Sequence, residues 1–162
     1  MRLESGRTLA SETVLVVDDE DAVCGLICLE LWDMGYQVLT AANASQTILE
    51  VQKQTNAVDL LLTDIFLPGS NGMELYGIMA ARNPALRVLF MSACPREQAL
   101  MHGAGITELN FIQKPFSIET LAAKVRAVLD GPVSVLARTQ QESNSWPLKT
   151  AGGKTPLPQT HE

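Results

Sequence analysis

The sequence predicts an α/β domain, a doubly wound five-stranded parallel sheet with helices on both faces, and three observations predict it. Five short aliphatic runs alternate with five stretches of helical pattern. The first, third and fourth runs are apolar throughout, as strands are when helices cover both sides of a sheet. The 162 residues, 46% hydrophobic and 19% charged, supply a core for one domain with some tail left over.

Thr13–Val17 is a β-branched run stopped by acids, and it reads as the first strand. Tyr36–Ala41 is a weaker second strand, Val58–Thr63 a third, Leu86–Met91 a fourth and Leu109–Ile112 a short fifth. Helices are expected near residues 20–34, 44–55, 72–82, 96–102 and 117–130. Asn43 and Ser117 are N-cap candidates because their short side chains can accept from the first free amides. Gly35 and Gly131 are expected to stop the first and last helices, and Pro84 to help end the third. Five βα units with right-handed crossovers give the doubly wound arrangement.

Residues 12–131 form this expected domain. They carry nine Lys/Arg against sixteen Asp/Glu when counted from residue 1, whereas residues 132–162 are slightly basic and rich in Thr, Gln, Ser, Gly and Pro. Residues 1–11 read as a flexible lead and 132–162 as a flexible tail too short for an output domain. The net charge of −6 lacks the basic footprint of a nucleic-acid binder. The densest apolar stretch, Ala22–Leu29, is too short to span a membrane, and the first twenty residues mix Arg2, Glu4, Arg7 and Glu12 with no apolar run of the kind a signal peptide needs. Three cysteines argue against a disulfide framework and for a reducing, cytoplasmic setting.

Sites on open α/β sheets form beyond the carboxyl ends of the strands. The first strand ends in Asp18-Asp19-Glu20-Asp21, the third in Asp64, the fourth in Ser92-Ala93, and the fifth runs into Gln113-Lys114-Pro115-Phe116. Three aspartates, a hydroxyl and a lysine therefore converge on one edge. Close carboxylates stay ionised together only with a cation among them. An all-oxygen donor set favours Mg²⁺ or Mn²⁺. Lys114 adds a point charge and Ser92 a donor, which suits a phosphoryl group, and Asp64 is the candidate nucleophile. Each signal has a plainer reading: a helix N-terminus at Asp18–Asp21, a turn initiator at Asp64, an exposed turn at Lys114-Pro115. Their conjunction at the same end of four strands is what carries weight.

These residues resemble the receiver domain of two-component response regulators over about residues 12–131. The motifs are VLVVDDE at Val14–Glu20, DIFLPGSNG at Asp64–Gly72, MSA at Met91–Ala93 and FIQKPF at Phe111–Phe116. Separations of 45 residues from Asp19 to Asp64, 28 from Asp64 to Ser92 and 50 from Asp64 to Lys114 also resemble the family's. The resemblance implies a flavodoxin-like strand order of 2-1-3-4-5. It implies that Asp64 accepts a phosphoryl group from a phosphohistidine on a histidine kinase or a histidine phosphotransfer protein. Asp19, Asp64 and the Phe66 backbone carbonyl would hold Mg²⁺, with Asp18 acting through water. Ser92 and Lys114 would hold the phosphoryl oxygens, and Phe111 would be the aromatic switch residue. Lys114-Pro115 would be a cis peptide. The remodelled face would be the fourth helix, fifth strand and fifth helix, where receivers pair as homodimers or meet a downstream protein target.

Phe66 and Cys94, two residues after Asp64 and Ser92, stand where rapidly dephosphorylating receivers often carry polar side chains. Slow self-dephosphorylation is therefore expected. The first helix has Glu30 as its only charge between Ala22 and Trp32, which leaves an outward apolar patch for docking. In the family that helix packs on the histidine-bearing helices. Cys24 and Cys28, one turn apart, read as small buried hydrophobes rather than a metal or redox site. His102 and His161 read as incidental, and Leu136, Trp146 and Leu148 as residues that could order on a partner. Two other function classes stay open: a pseudo-receiver acting only as an interaction module, and a phosphatase with an aspartyl nucleophile. The adjacency of Asp18 and Asp19 disfavours the phosphatase, and the presence of all the acids and the lysine disfavours the pseudo-receiver.

Overall fold

The computed structural model describes residues 12–103 and 105–133. The expected lead at 1–11, nearly all of the expected tail, and Leu136, Trp146, Leu148 and His161 lie outside the described residues. The element order is β1 (Thr13–Val17), α1 (Asp21–Asp33), β2 (Gln37–Ala41), α2 (Ala44–Lys53), β3 (Leu60–Asp64), β4 (Phe66–Leu67), β5 (Ser70–Asn71) and α3 (Gly72–Arg82). It continues with β6 (Arg87–Ser92), α4 (Arg96–Ala99), a 3₁₀ turn (Leu100–His102), β7 (Phe111–Gln113) and α5 (Ile118–Asp130).

The main sheet is parallel, with order β2-β1-β3-β6-β7. Leaving out the two-residue strands β4 and β5, this is the expected order 2-1-3-4-5. Period-two alternation assigns each side chain to a face. Val14, Val16, Leu60, Leu62, Leu89 and Met91 pack with Ile27 and Leu31 of α1 and Leu121 and Val125 of α5. Their neighbours Leu15, Val17, Leu61, Val88 and Phe90 pack on the other face with Leu75, Tyr76 and Met79 of α3, and Val51 of α2 joins them. Burial on both faces explains the uninterrupted apolar runs in β1, β3 and β6.

Asn43 and Ser117 cap α2 and α5 as expected, accepting from the Gln46 and Thr120 amides at 2.9 and 3.1 Å. Gly35 follows α1 with φ of 94°. Gly131 also stops its helix, but with an extended backbone; its carbonyl accepts two N–H groups of Arg87 at 3.1 and 3.2 Å. The fourth helix is only four residues of α-helix before it tightens into the 3₁₀ turn. The β4–β5 hairpin was not foreseen; Pro68-Gly69 turns it, and two-residue strands have no periodicity to read. Among the described residues, no helix is long and apolar enough to cross a membrane.

A candidate phosphoacceptor site at the carboxyl edge of the sheet

Strand register brings the site together. Val17 pairs with Thr63, Asp64 with Met91, and Ser92 with Gln113, so β1, β3, β6 and β7 end nearly level. Backbone hydrogen bonds carry the alignment one residue further. The Asp18 amide donates to the Ala41 carbonyl at 3.2 Å, and the Lys114 amide to the Ser92 carbonyl at 2.8 Å. The Lys114-Pro115 peptide is cis.

Asp18, Asp19 and Asp64 each offer a carboxylate oxygen within 4.8 Å of the others. They differ sharply in exposure: Asp18 is buried, Asp64 is 9% exposed, and Asp19 is open to solvent. The Lys114 ammonium donates to Asp18 Oδ2 at 2.5 Å and to Asp64 Oδ2 at 2.9 Å. Each aspartate's other oxygen accepts a backbone amide at 2.9 Å, from Glu20 for Asp18 and from Phe66 for Asp64. Burial works against the lysine's charge. The hydrogen bonds to Asp18 and Asp64 and the field of both carboxylates outweigh it, so its pKa is raised above the ordinary lysine value.

The site's floor is tightly built. A Cβ on Gly72 would sit 2.2 Å from the Asp64 carbonyl oxygen, so only glycine lets the start of α3 approach the end of β3. The Gly72 amide donates to the Ile65 carbonyl at 2.8 Å, and Asn71 caps α3 by accepting from the Met73 amide at 2.8 Å. The Thr63 hydroxyl donates to the Asp64 carbonyl at 2.9 Å.

Of the residues singled out in the sequence, Asp18, Asp64 and Lys114 meet directly, and Asp19 brings a carboxylate oxygen within 4.8 Å of those of Asp18 and Asp64. Ser92 is buried at the same edge, its Oγ accepting the Cys94 amide at 3.0 Å. Phe66, two residues after Asp64, is 42% exposed. Phe111 lies in the core cluster with Phe90, Ala99 and Ile106 rather than among the carboxylates. Sequence reading assigned Lys114 to phosphoryl oxygens and missed its pairing with Asp18. It also missed the Gly72 approach, and it took His102 as incidental although that ring meets Phe66. The acid run and the spacing were visible. A close approach across 96 residues, as between Asp18 and Lys114, leaves no local pattern.

The arrangement can hold a hard cation on oxygen ligands and can present one carboxylate beside a cation for nucleophilic attack. Comparisons with known proteins identify the family. The sequence model of the response regulator receiver domain matches residues 14–126. The chain is 31% identical over 117 residues to the probable transcriptional regulatory protein TcrX of Mycobacterium tuberculosis, covering 72% of this chain and 49% of that protein. The crystal structure of the receiver domain from hybrid histidine kinase CckA is similar, with a TM-score of 0.60 and 31% identity, covering 72% of this chain and 98% of that one. Chemotaxis response regulator CheY4 of Vibrio cholerae gives a TM-score of 0.63 at 25% identity, covering 73% and 98% respectively. The chain spans about half the length of curated relatives such as TcrX.

Proposed function

Because the chain belongs to the response regulator receiver family, we propose that it is a phosphorylation-dependent signalling switch of a two-component system or phosphorelay, with Asp64 as phosphoacceptor. The observation that carries this reading is the Lys114 bridge to Asp18 and Asp64 beside the three-carboxylate cluster.

An Asp64 carboxylate oxygen attacks the donor phosphorus. The O–P bond of an acyl phosphate forms as the N–P bond of a phosphohistidine breaks, and the imidazole leaves with the bonding pair. The likeness to a receiver from a hybrid histidine kinase supports that donor class. Asp18, Asp19 and Asp64 fit Mg²⁺ or Mn²⁺ by their oxygen-only chemistry and mutual proximity, with the Phe66 carbonyl as a further ligand. A bound divalent ion would neutralise the carboxylates and the charge on the transferring oxygens.

Lys114 keeps its proton and exchanges a carboxylate partner for phosphoryl oxygens. Ser92 offers its hydroxyl to the same group. The phosphoryl brings a charge of about −1.5 to −2 at pH 7. A differential of about 2 kcal/mol between conformers shifts their populations roughly thirtyfold. Movement of Ser92 passes to Phe111, which sits one strand away on β7, and on to the face of α4, β7 and α5. Leu100, Met101, Leu109 and Ile118 leave apolar surface there for a downstream protein or a second copy. On α1, Leu26, Leu29 and Trp32 are 58%, 63% and 72% exposed in a single stripe, which supports docking of the phosphohistidine-bearing partner. Apolar Phe66 and half-buried Cys94 flank the acceptor, so self-dephosphorylation is slow.

Incubation with acetyl phosphate and Mg²⁺ tests this reading. The intact mass should rise by one phosphoryl in wild type and not in Asp64→Asn. Absence of an adduct from any donor would favour a pure interaction module. Continuous phosphate release without an adduct would favour a phosphatase.

A further inference from the structure

The Phe66 and His102 rings meet nearly at right angles, 87° between planes with centroids 4.7 Å apart. Phe66 follows the phosphoacceptor by two residues, and its amide is bonded to Asp64 Oδ1, so its backbone is fixed to the carboxylate. His102 ends the 3₁₀ turn after α4, on the segment that leaves β6 beyond Ser92. The ring pair therefore ties β4, which begins two residues after Asp64, to the segment after β6.

His102 is itself exposed, and the segment that carries it packs against α3. A Cβ on the next residue, Gly103, would lie 2.6 Å from Met73 Cε and 2.8 Å from its Sδ, so the end of the 3₁₀ turn rests on the first turn of α3. Phe66 is 42% exposed, and an exposed ring samples several rotamers unless a neighbour holds it. An edge-to-face aromatic pair is favourable beyond its area burial and selects one rotamer.

We propose that His102 is a positioning residue for the lifetime of the phosphorylated state: its ring holds the Phe66 ring at the rim of the Asp64 site and keeps hydrolytic water from the acyl phosphate. The bond at stake is the phosphoryl linkage of Asp64, broken by water to return the carboxylate and inorganic phosphate. The inference rests on Asp64 phosphorylation and on the shielding role of Phe66, and it adds the residue that makes the shield effective.

The test loads the full chain with acetyl phosphate and Mg²⁺, removes the donor, and follows loss of the phosphoryl by intact mass. His102→Ala should shorten the half-life by at least about threefold while leaving the loading rate unchanged. His102→Phe, which keeps an aromatic partner and discards the imidazole nitrogens, should restore the wild-type half-life. Phe66→Asn should shorten it as well, and adding His102→Ala to Phe66→Asn should have no further effect. A His102→Ala half-life equal to wild type, with Phe66→Asn still short, overturns the positioning role and leaves the shield standing. Unchanged half-lives in both single variants overturn the shield and the inference together. Failure of wild type to load overturns the phosphoacceptor reading on which both depend.

Discussion

The Lys114 ammonium donates to Asp64 Oδ2 over 2.9 Å, joining residues 50 positions apart at the ends of two strands. The same nitrogen holds Asp18, whose side chain is fully buried. One lysine thus compensates two carboxylates that would otherwise face each other in a poorly solvated place. Removing it leaves a buried charge uncompensated, and breaking a buried pair from one side costs about 3–5 kcal/mol. Lys114→Met should therefore lower unfolding stability by about 3 kcal/mol in metal-free buffer. Adding Asp18→Asn should recover part of that loss, since the two residues interact directly. Denaturant unfolding of the two single variants and the double variant measures both effects. Additive losses would show that the pair is not coupled.

Gly72→Ala should be costly for a steric reason. Its new Cβ would fall 2.2 Å from the Asp64 carbonyl oxygen, so the start of α3 or the end of β3 must shift. Overpacking of this kind costs about 1–3 kcal/mol. The displaced strand end carries Asp64, the proposed phosphoacceptor, so loading from acetyl phosphate should slow as well. Thermal unfolding together with a loading time course checks this. A stable variant that loads at the wild-type rate would mean that the backbone yields without moving Asp64.

The exposed apolar stripe on α1 predicts a split between donors. Leu29→Glu or Trp32→Glu should slow phosphotransfer from a phosphohistidine-bearing partner by roughly tenfold or more, since apolar and aromatic anchors dominate interfaces. Loading from acetyl phosphate should be unchanged. Equal slowing with both donors would assign the stripe to stability rather than docking.

Asp130 is held below the ordinary carboxylate pKa, chiefly by the Arg126 hydrogen bonds at 2.7 and 2.9 Å, with the Arg126 and Arg87 charges adding to them. A carboxylate depressed in the folded state contributes stability above its unfolded pKa of about 3.9 and loses it as pH falls through the folded value. Carboxyl NMR titration should show Asp130 titrating below that reference, and Arg126→Ala should return it. The residue is exposed, so the effect on global stability is small.

The strands were legible because burial on both faces writes unbroken apolar runs into β1, β3 and β6, whereas their order came only from the resemblance of the motifs to the receiver family. Asp18, Asp19, Asp64, Ser92 and Lys114 were legible because each stands at a strand end, where the fold must place its polar site. Phe111 was named from its motif, and the structure gives it a core position one strand from the carboxylates. What was not legible depends on approach in space. The Phe66–His102 ring pair, the Gly72 contact and the double engagement of Lys114 join distant segments and leave no periodic trace. The short fourth helix was over-read by its terminal residues, since Leu100–His102 continue a helical pattern that the backbone closes as 3₁₀.

The most direct test traps the acyl phosphate itself. The full chain is loaded with acetyl phosphate and Mg²⁺, reduced with borohydride, digested and sequenced by mass spectrometry. An acyl phosphate at Asp64 is reduced to homoserine, so the account predicts homoserine at position 64, dependent on both the donor and the divalent ion. An unreduced aspartate there in protein that carries one phosphoryl, or homoserine at another acidic position, would contradict it.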